Sequence, residues 1–283
     1  MTLLYFILVH KNPKQVKLLT NQLKSDNVIF LLHVDLKSNQ SSFEDCIYGD
    51  NIYYVQNRIN VNWGGFSMVN ACLEGMKFAI KHIKFDRFIY LTGQDFPIKN
   101  NKYINSYFKE HKRKDIVSCF KIPNKQWVDM GIPRITNYSF IDLKPVIFSK
   151  ILNRVFTLLK IKKSFNNSLG WYGGSAYFAL TSETILKIIS DVSFHNRLVK
   201  YLKYSYCPDE VYFNTFINQL NKDNLLNECF HLIVWPEQGR HPITFENKHK
   251  DQLLNSQKLF ARKFDIDSDS TIINSIIKSI NYE

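Results

Sequence analysis

Leu3-Leu4-Tyr5-Phe6-Ile7-Leu8-Val9, followed by Pro13 to Leu23 and then by Val28-Ile29-Phe30-Leu31-Leu32-His33-Val34-Asp35, is the stretch that decides the fold. Its first and last parts are unbroken apolar runs, as in strands covered on both faces. The middle part places Val16, Leu19 and Leu23 at helical spacing behind a proline, which suits the first turn of a helix. Working outward, Ile52 to Val55 is a short third strand. Phe66 to Ile83 reads as a long helix with Val69, Leu73, Met76 and Ile80 on one face. Arg87 to Leu91 and Ile116 to Phe120 are further strands. Strands alternating with helices predict an α/β fold with a mostly parallel central sheet flanked by helices. Such sheets bind ligands beyond the carboxyl ends of their strands. Polar residues stand there: His10 after the first strand, Asp35 after the second, Gln94 and Asp95 after a later one. Each can also be read as a cap or turn residue; their repeated placement is what points to a site.

The chain has 283 residues, 45% of them hydrophobic, enough for one large domain with a substantial core. The reading is a single domain over 1–283. A net charge of +12 favours an acidic partner. Nucleic acid is not expected, because no nucleic-acid motif accompanies the basic stretches and aromatics are not interleaved with them. Five scattered cysteines, none in a CxxC arrangement, argue against a disulfide framework or zinc site and for reduced cytoplasmic thiols. The N-terminal apolar run lacks a basic leader region and is too short to span a bilayer.

Four segments carry candidate chemistry. In Cys207-Pro208-Asp209-Glu210, a proline and two acids open a helix. Acids suit the positive end of a helix dipole, so the pattern is either a helix start alone or a general base, Glu210, held beside a pocket. Trp235-Pro236-Glu237-Gln238-Gly239-Arg240-His241-Pro242 is a Gly/Pro-bounded loop with one arginine. Leu259 to Asp265 (LFARKFD) sets two cations in an apolar frame, and Trp171 to Phe178 is an aromatic strand entered through Gly173 and Gly174. The basic, amphipathic stretch 145–167 is either a surface helix with a buried apolar face or a helix that meets anionic lipid. Lys109 to Lys114 reads as the solvated end of a helix.

Seven segments in order, ILVH, LLHVDLKS, NWGGFSMVNACLEGMK, YLTGQDFPIK, GGSAYFALTSE, CPDEVYFNT and LFARKFD, make the chain resemble the core-2/I-branching glycosyltransferases, a family that includes the peptide O-xylosyltransferases. They cover most of the chain, with a weaker middle at 121–165. The resemblance implies a GT-A-like (Rossmann-like) nucleotide-sugar fold and an inverting, metal-independent transfer from a UDP-sugar, GlcNAc being the leading choice. It maps the catalytic base to Glu210 and the diphosphate-neutralising cations to Arg240 and Lys263. It maps a uridine contact to Asp35, with Val9 and His10 lining the nucleotide pocket. Asp95, Gly174, Ser175 and Asp209 fall in the region of the transferred sugar and acceptor.

The chemistry is consistent with that mapping. An inverting displacement needs one carboxylate to take the acceptor proton, and no covalent nucleophile. Fixed cations can stabilise the leaving diphosphate. No cofactor is then required. Asp265-Ile266-Asp267-Ser268-Asp269, the one Asp-x-Asp run, precedes the last helix (Ser270 to Ile280) and reads as capping, with no metal expected. The family's animal members carry a Golgi membrane anchor and disulfides. Their lack here suggests a compact bacterial-type enzyme in the cytoplasm or on the inner face of the membrane, acting on a glycan or lipid-linked saccharide. The alternative is a non-catalytic protein that binds anionic glycans or lipids on a degenerate transferase fold.

Overall fold

The computed structural model describes residues 1–237, 239 and 241–281, without the side chains of Asn221 and Lys222. The first apolar run forms β1 (Leu3–Val9). The proline-led segment forms the helix Pro13–Leu23, and the second run forms β2 (Val28–Val34). β3 (Ile52–Tyr54) and β4 (Arg87–Thr92) follow, separated by the helix Ser67–His82. After β5 (Asp95–Pro97), β6 (Asp115–Lys121), β7 (Tyr172–Thr181) and β8 (Leu225–Leu226), the sheet order is β3-β2-β1-β4-β7-β6-β8. A small second sheet sets β10 (Phe260–Arg262) between β5 and β9 (His231–Ile233).

β1 explains its own lack of polar residues. Side chains alternate across a strand. Leu4, Phe6 and Leu8 enter one core, and Leu3, Tyr5, Ile7 and Val9 enter another. The first core is closed by the helices Ser67–His82, Ser182–Ser190, Val192–Leu202 and Asp209–Asn221. The second is closed by Pro13–Leu23, the helix Thr271–Asn281 and the small sheet. Burying an aliphatic or aromatic side chain contributes roughly 1.5–3 kcal/mol, so a strand buried on both faces anchors both layers.

The central sheet is mostly parallel, as expected, with one exception: β3, β2, β1, β4, β6 and β8 run the same way, and β7 runs antiparallel to both β4 and β6. Residues 122–171 bring the chain back to the end at which β6 finished. β7 therefore starts, with Gly173, Gly174 and Ser175, at the carboxyl edge of the parallel strands. One expectation needs correction, that for 145–167. The helix there spans only Val146–Leu158, and its one buried residue is Ser149. Its polar side faces inward, where Asn153 Oδ1 accepts from the Phe140 amide at 3.0 Å. Ile147, Phe148, Ile151, Val155 and Leu158 face outward. The reading of a surface helix with a buried apolar face is thus overturned.

The last helix begins at Thr271, and its start is capped as expected: Asp269 Oδ1 accepts from the Thr271 amide at 2.7 Å. All five cysteines are free thiols. Among the described residues, no helix is long and apolar enough to cross a membrane.

Candidate active site

Asp209 and Glu210 occupy the first turn of the helix Asp209–Asn221. The loop before it is fixed by the Asn62–Ser67 segment. The Cys207 amide donates to the Gly64 carbonyl at 2.9 Å, and Cys207 itself takes a left-handed φ of 47°. Asp142 holds Asn62–Ser67 in turn. Its carboxylate accepts from the Ser67 amide at 2.8 Å, Ser67 Oγ at 2.6 Å and Asn62 Nδ2 at 2.8 Å. An added Cβ on Gly65 would land on that carboxylate, 2.7 Å from Asp142 Cγ. This contact explains the second glycine of NWGG.

Glu210 Oε2 pairs with an Arg134 guanidinium nitrogen at 2.9 Å, and 27% of each side chain remains exposed. Arg134 lies over the rings of Trp127 and Tyr206, 5.1 and 5.2 Å from their centroids. Burial raises the Glu210 pKa; Arg134 opposes the rise and the neighbouring Asp209 charge adds to it. Burial also raises the Asp209 pKa, against backbone hydrogen bonds and Arg134. Asp209 Oδ1 has no hydrogen-bond partner among the described residues. A carboxylate whose proton affinity is lifted toward neutrality suits general base work.

These two acids line a cavity of about 570 Å³ together with His10, Gly174, Ser175 and Lys263. A second cavity of about 380 Å³ is lined by Val9, His10, Asp35 and Lys37. His10, Trp63, Met68, Thr92, Gln94 and Arg262 line both, so the two form one cleft along the carboxyl ends of β1, β2 and β4. Of the expected site residues, Val9, His10 and Asp35 meet in the smaller part, and His10, Gly174, Ser175, Asp209, Glu210 and Lys263 meet in the larger. Arg240 lies outside the described residues.

Asp95 does not line the cleft. It is fully buried behind it, where Arg262 Nη1 donates to Oδ1 at 3.0 Å and His231 Nε2 stands 3.6 Å from Oδ2. Burial alone would raise its pKa, but Arg262, then His231 and the Thr92 amide, hold it below the ordinary aspartate value. Arg262 Nη1 also donates to Thr92 Oγ1. Asp95 thus positions Arg262, which does line the cleft. The pairing follows from sheet register: Arg262 of β10 sits opposite Asp95 of β5.

Gly174 also acts structurally. A Cβ there would overlap the Ser118 carbonyl oxygen and come 2.7 Å from Cys119 Cα on β6, so its close approach is to a strand. Ser175 is held by its carbonyl, which accepts from Asn214 Nδ2 at 2.9 Å; the same nitrogen donates to the Glu210 carbonyl at 2.8 Å. Asp35 is held by Lys37, whose Nζ donates to Oδ2 at 3.0 Å and whose amide donates to Oδ1 at 2.9 Å.

Sequence reasoning passed over Arg134 and Lys37 as site residues; it noted Gln94 only as one polar residue at a strand end, and Arg262 only as an unassigned cation of its segment. Gln94 Nε2 is buried and has no partner among the described residues. Arg262 could have been found, since it directly precedes Lys263 in the same apolar frame. Arg134 carried no local signal. Among the described residues, no group of three or more His, Cys, Asp or Glu is placed to hold a metal ion.

Comparison with known proteins gives this cleft its context. The chain is 24% identical to the human N-acetyllactosaminide beta-1,6-N-acetylglucosaminyl-transferase, over 94% of this chain and 69% of that protein. It is 21% identical to mouse Xylosyltransferase 2, over 98% of this chain but only 33% of that protein. Among solved structures, mouse xyloside xylosyltransferase 1 aligns over 92% of this chain and 96% of that one, with a TM-score of 0.41 and 10% identity, too slight a likeness to bear on the fold. Residues 3–258 match the family described as core-2/I-branching enzyme, nearly the whole chain. The protein is therefore a member of the core-2/I-branching family of glycosyltransferases, with an α/β fold related to the GT-A type.

Proposed function

We propose that the protein is an inverting glycosyltransferase that moves a sugar, GlcNAc by preference, from a UDP-sugar to a hydroxyl of a glycan or lipid-linked saccharide. The observation that carries this reading is the meeting, in one cleft, of a carboxylate with raised proton affinity, Glu210, and the cations Arg262 and Lys263. Residues 1–120 supply the nucleoside side, where Asp35, Val9 and His10 receive the uridine. Residues 121–283 supply the acceptor and catalytic side.

Glu210 takes the acceptor proton as the oxygen attacks the anomeric carbon. Arg134 orients the carboxylate and keeps enough of it ionised to act. The UDP leaving group gains negative charge as the glycosidic bond breaks. Lys263, with Arg240 by position in the sequence, neutralises that charge, and Arg262 adds to the local potential. Preorganised cations of this kind lower the barrier by of order 3 kcal/mol each. No divalent ion is required in this scheme. Asp209, Ser175 and the backbone at Gly174 face the transferred sugar.

The test is Glu210→Gln assayed with UDP-GlcNAc, UDP-galactose, UDP-glucose and UDP-xylose, with and without EDTA. Transfer should fall by about a thousandfold while the donor-induced rise in melting temperature persists. Near-normal turnover would remove Glu210 from the mechanism, and loss of activity in EDTA would remove the metal-free scheme.

A further inference from the structure

The helix Val146–Leu158 is turned inside out. Ile147, Ile151, Val155 and Leu158 recur at i, i+4, i+8 and i+11, and Phe148 widens the stripe they form. A stripe at that spacing ordinarily faces a core. Here Ile147, Phe148, Ile151 and Leu158 are about half exposed or more, at 58, 55, 49 and 71%. The inward side is held by Ser149, by Asn153, and by Phe156, whose ring packs edge-on against Tyr138 and Phe140 with centroids 4.9 and 5.0 Å away. The orientation is therefore fixed by specific contacts. An apolar patch left outward in this way calls for an apolar partner.

The charges around it narrow the choice of partner. Lys150 and Arg154 flank the stripe, and Lys144, Lys160 and Lys162 are exposed at its two ends. No Asp or Glu occurs between Asp142 and Glu183. Lys163 does not join this ring, because its ammonium is turned inward to the carbonyls of Tyr201 and Tyr204 and to Ser205 Oγ. An apolar stripe edged by cations, in a segment without acids, complements an anionic bilayer, where side chains enter the acyl boundary and cations stay among the headgroups; Asp129 lies in the adjoining groove.

The place of the helix gives docking a purpose. A groove of about 840 Å³ is lined by Asn153 and Thr157 of the helix and also by Trp127, Arg134 and Trp235. Those last three also line the cavity that holds Glu210. The groove thus leads from the outward helix to the candidate base.

We propose that the Val146–Leu158 helix is an interfacial anchor that seats its apolar face in an anionic phospholipid surface, so that the adjoining groove receives the saccharide head of a lipid-linked acceptor. The anchoring stands on the helix alone; the role of the groove rests on the glycosyl-transfer reading.

The experiment is flotation of the whole protein with vesicles of phosphatidylcholine mixed with phosphatidylglycerol, against vesicles of phosphatidylcholine alone. Wild type should float with the mixed vesicles only, and release in high salt. Ile147→Ser/Ile151→Ser/Leu158→Ser changes only outward side chains and should weaken partitioning by about a hundredfold. Lys150→Glu/Arg154→Glu should weaken it by about tenfold or more. Both variants should keep the wild-type rise in melting temperature with UDP. Its absence from wild type would count against the donor site and leave the docking result standing. Docking is overturned if wild type stays with the unbound fraction, or if the triple serine variant floats as well as wild type. A dimer seen by light scattering that the triple variant dissolves, without vesicle binding, would assign the face to a second copy and equally overturn it.

Discussion

Replacing Arg134 by methionine should move the acid limb of the pH–rate profile upward. The guanidinium stands 2.9 Å from Glu210 Oε2, and about a quarter of each side chain meets solvent. Two unit charges at about 4 Å attract by roughly 1 kcal/mol in water and about 4 kcal/mol at an effective dielectric of about 20. Partial exposure favours the lower part of that range. Each pKa unit corresponds to about 1.4 kcal/mol, so the loss amounts to about one unit. The sign follows from which form the cation favours. Arg134 stabilises the carboxylate against burial and against Asp209, so without it Glu210 holds its proton to higher pH. A profile of kcat/KM against pH should show the limb displaced upward by about one unit, with most of the rate recovered at alkaline pH. Arg134→Lys should restore much of the original position, since a point charge suffices for this effect. A limb that stays in place in the methionine variant, or moves down, would refute the electrostatic role of the pair.

The same raised proton affinity predicts a stability gain in Glu210→Gln. A carboxyl with a folded pKa above its unfolded value, about 4.3, contributes stability below that pH and loses it as pH rises through the folded pKa. The glutamine variant should melt above wild type at pH 8 and match it at pH 4, as read by thermal denaturation at the two pH values. Asp95→Asn should be costly because it leaves Arg262 buried without its counter-ion, a loss of about 3–5 kcal/mol. Asp95→Asn/Arg262→Met should recover part of that stability in denaturant titrations, and a double variant weaker than the single would sink the pairing argument. Gly174→Ala should destabilise the β6–β7 pairing by about 1–3 kcal/mol, because its methyl overlaps the Ser118 carbonyl. An unchanged denaturation midpoint would show that the strands can part at no cost.

The first third of the fold was legible because its signals are local. β1, the helix Pro13–Leu23 and β2 have the bounds that their apolar periodicity indicates. The direction of β7 was not, since a strand's own residues do not record which way its neighbours run. Glu210 could be read from its place in a helix start, but its partner could not. Arg134 reaches it from 76 positions upstream, through a segment without a motif, and only the packed loop joins them. Asp95 illustrates the opposite failure. An acid at a strand end looks the same in sequence whether it faces a ligand or supports the residue that does. The apolar stripe of Val146–Leu158 was visible as a pattern, yet whether it faced in or out depended on Phe156 and Asn153 finding partners elsewhere.

β10 lies between β5 and β9, and its register opposite β5 places Arg262 against Asp95. That strand leaves the ribosome some fifty residues after Glu210 does. The two sides of the cleft therefore come from distant parts of the chain, and only the register of β10 against β5 brings them together. A chain that stops short of Phe260 keeps Glu210 but loses the strand that β5 and β9 close upon, and with it the two cations, Arg262 and Lys263, that share the cavity with that carboxylate.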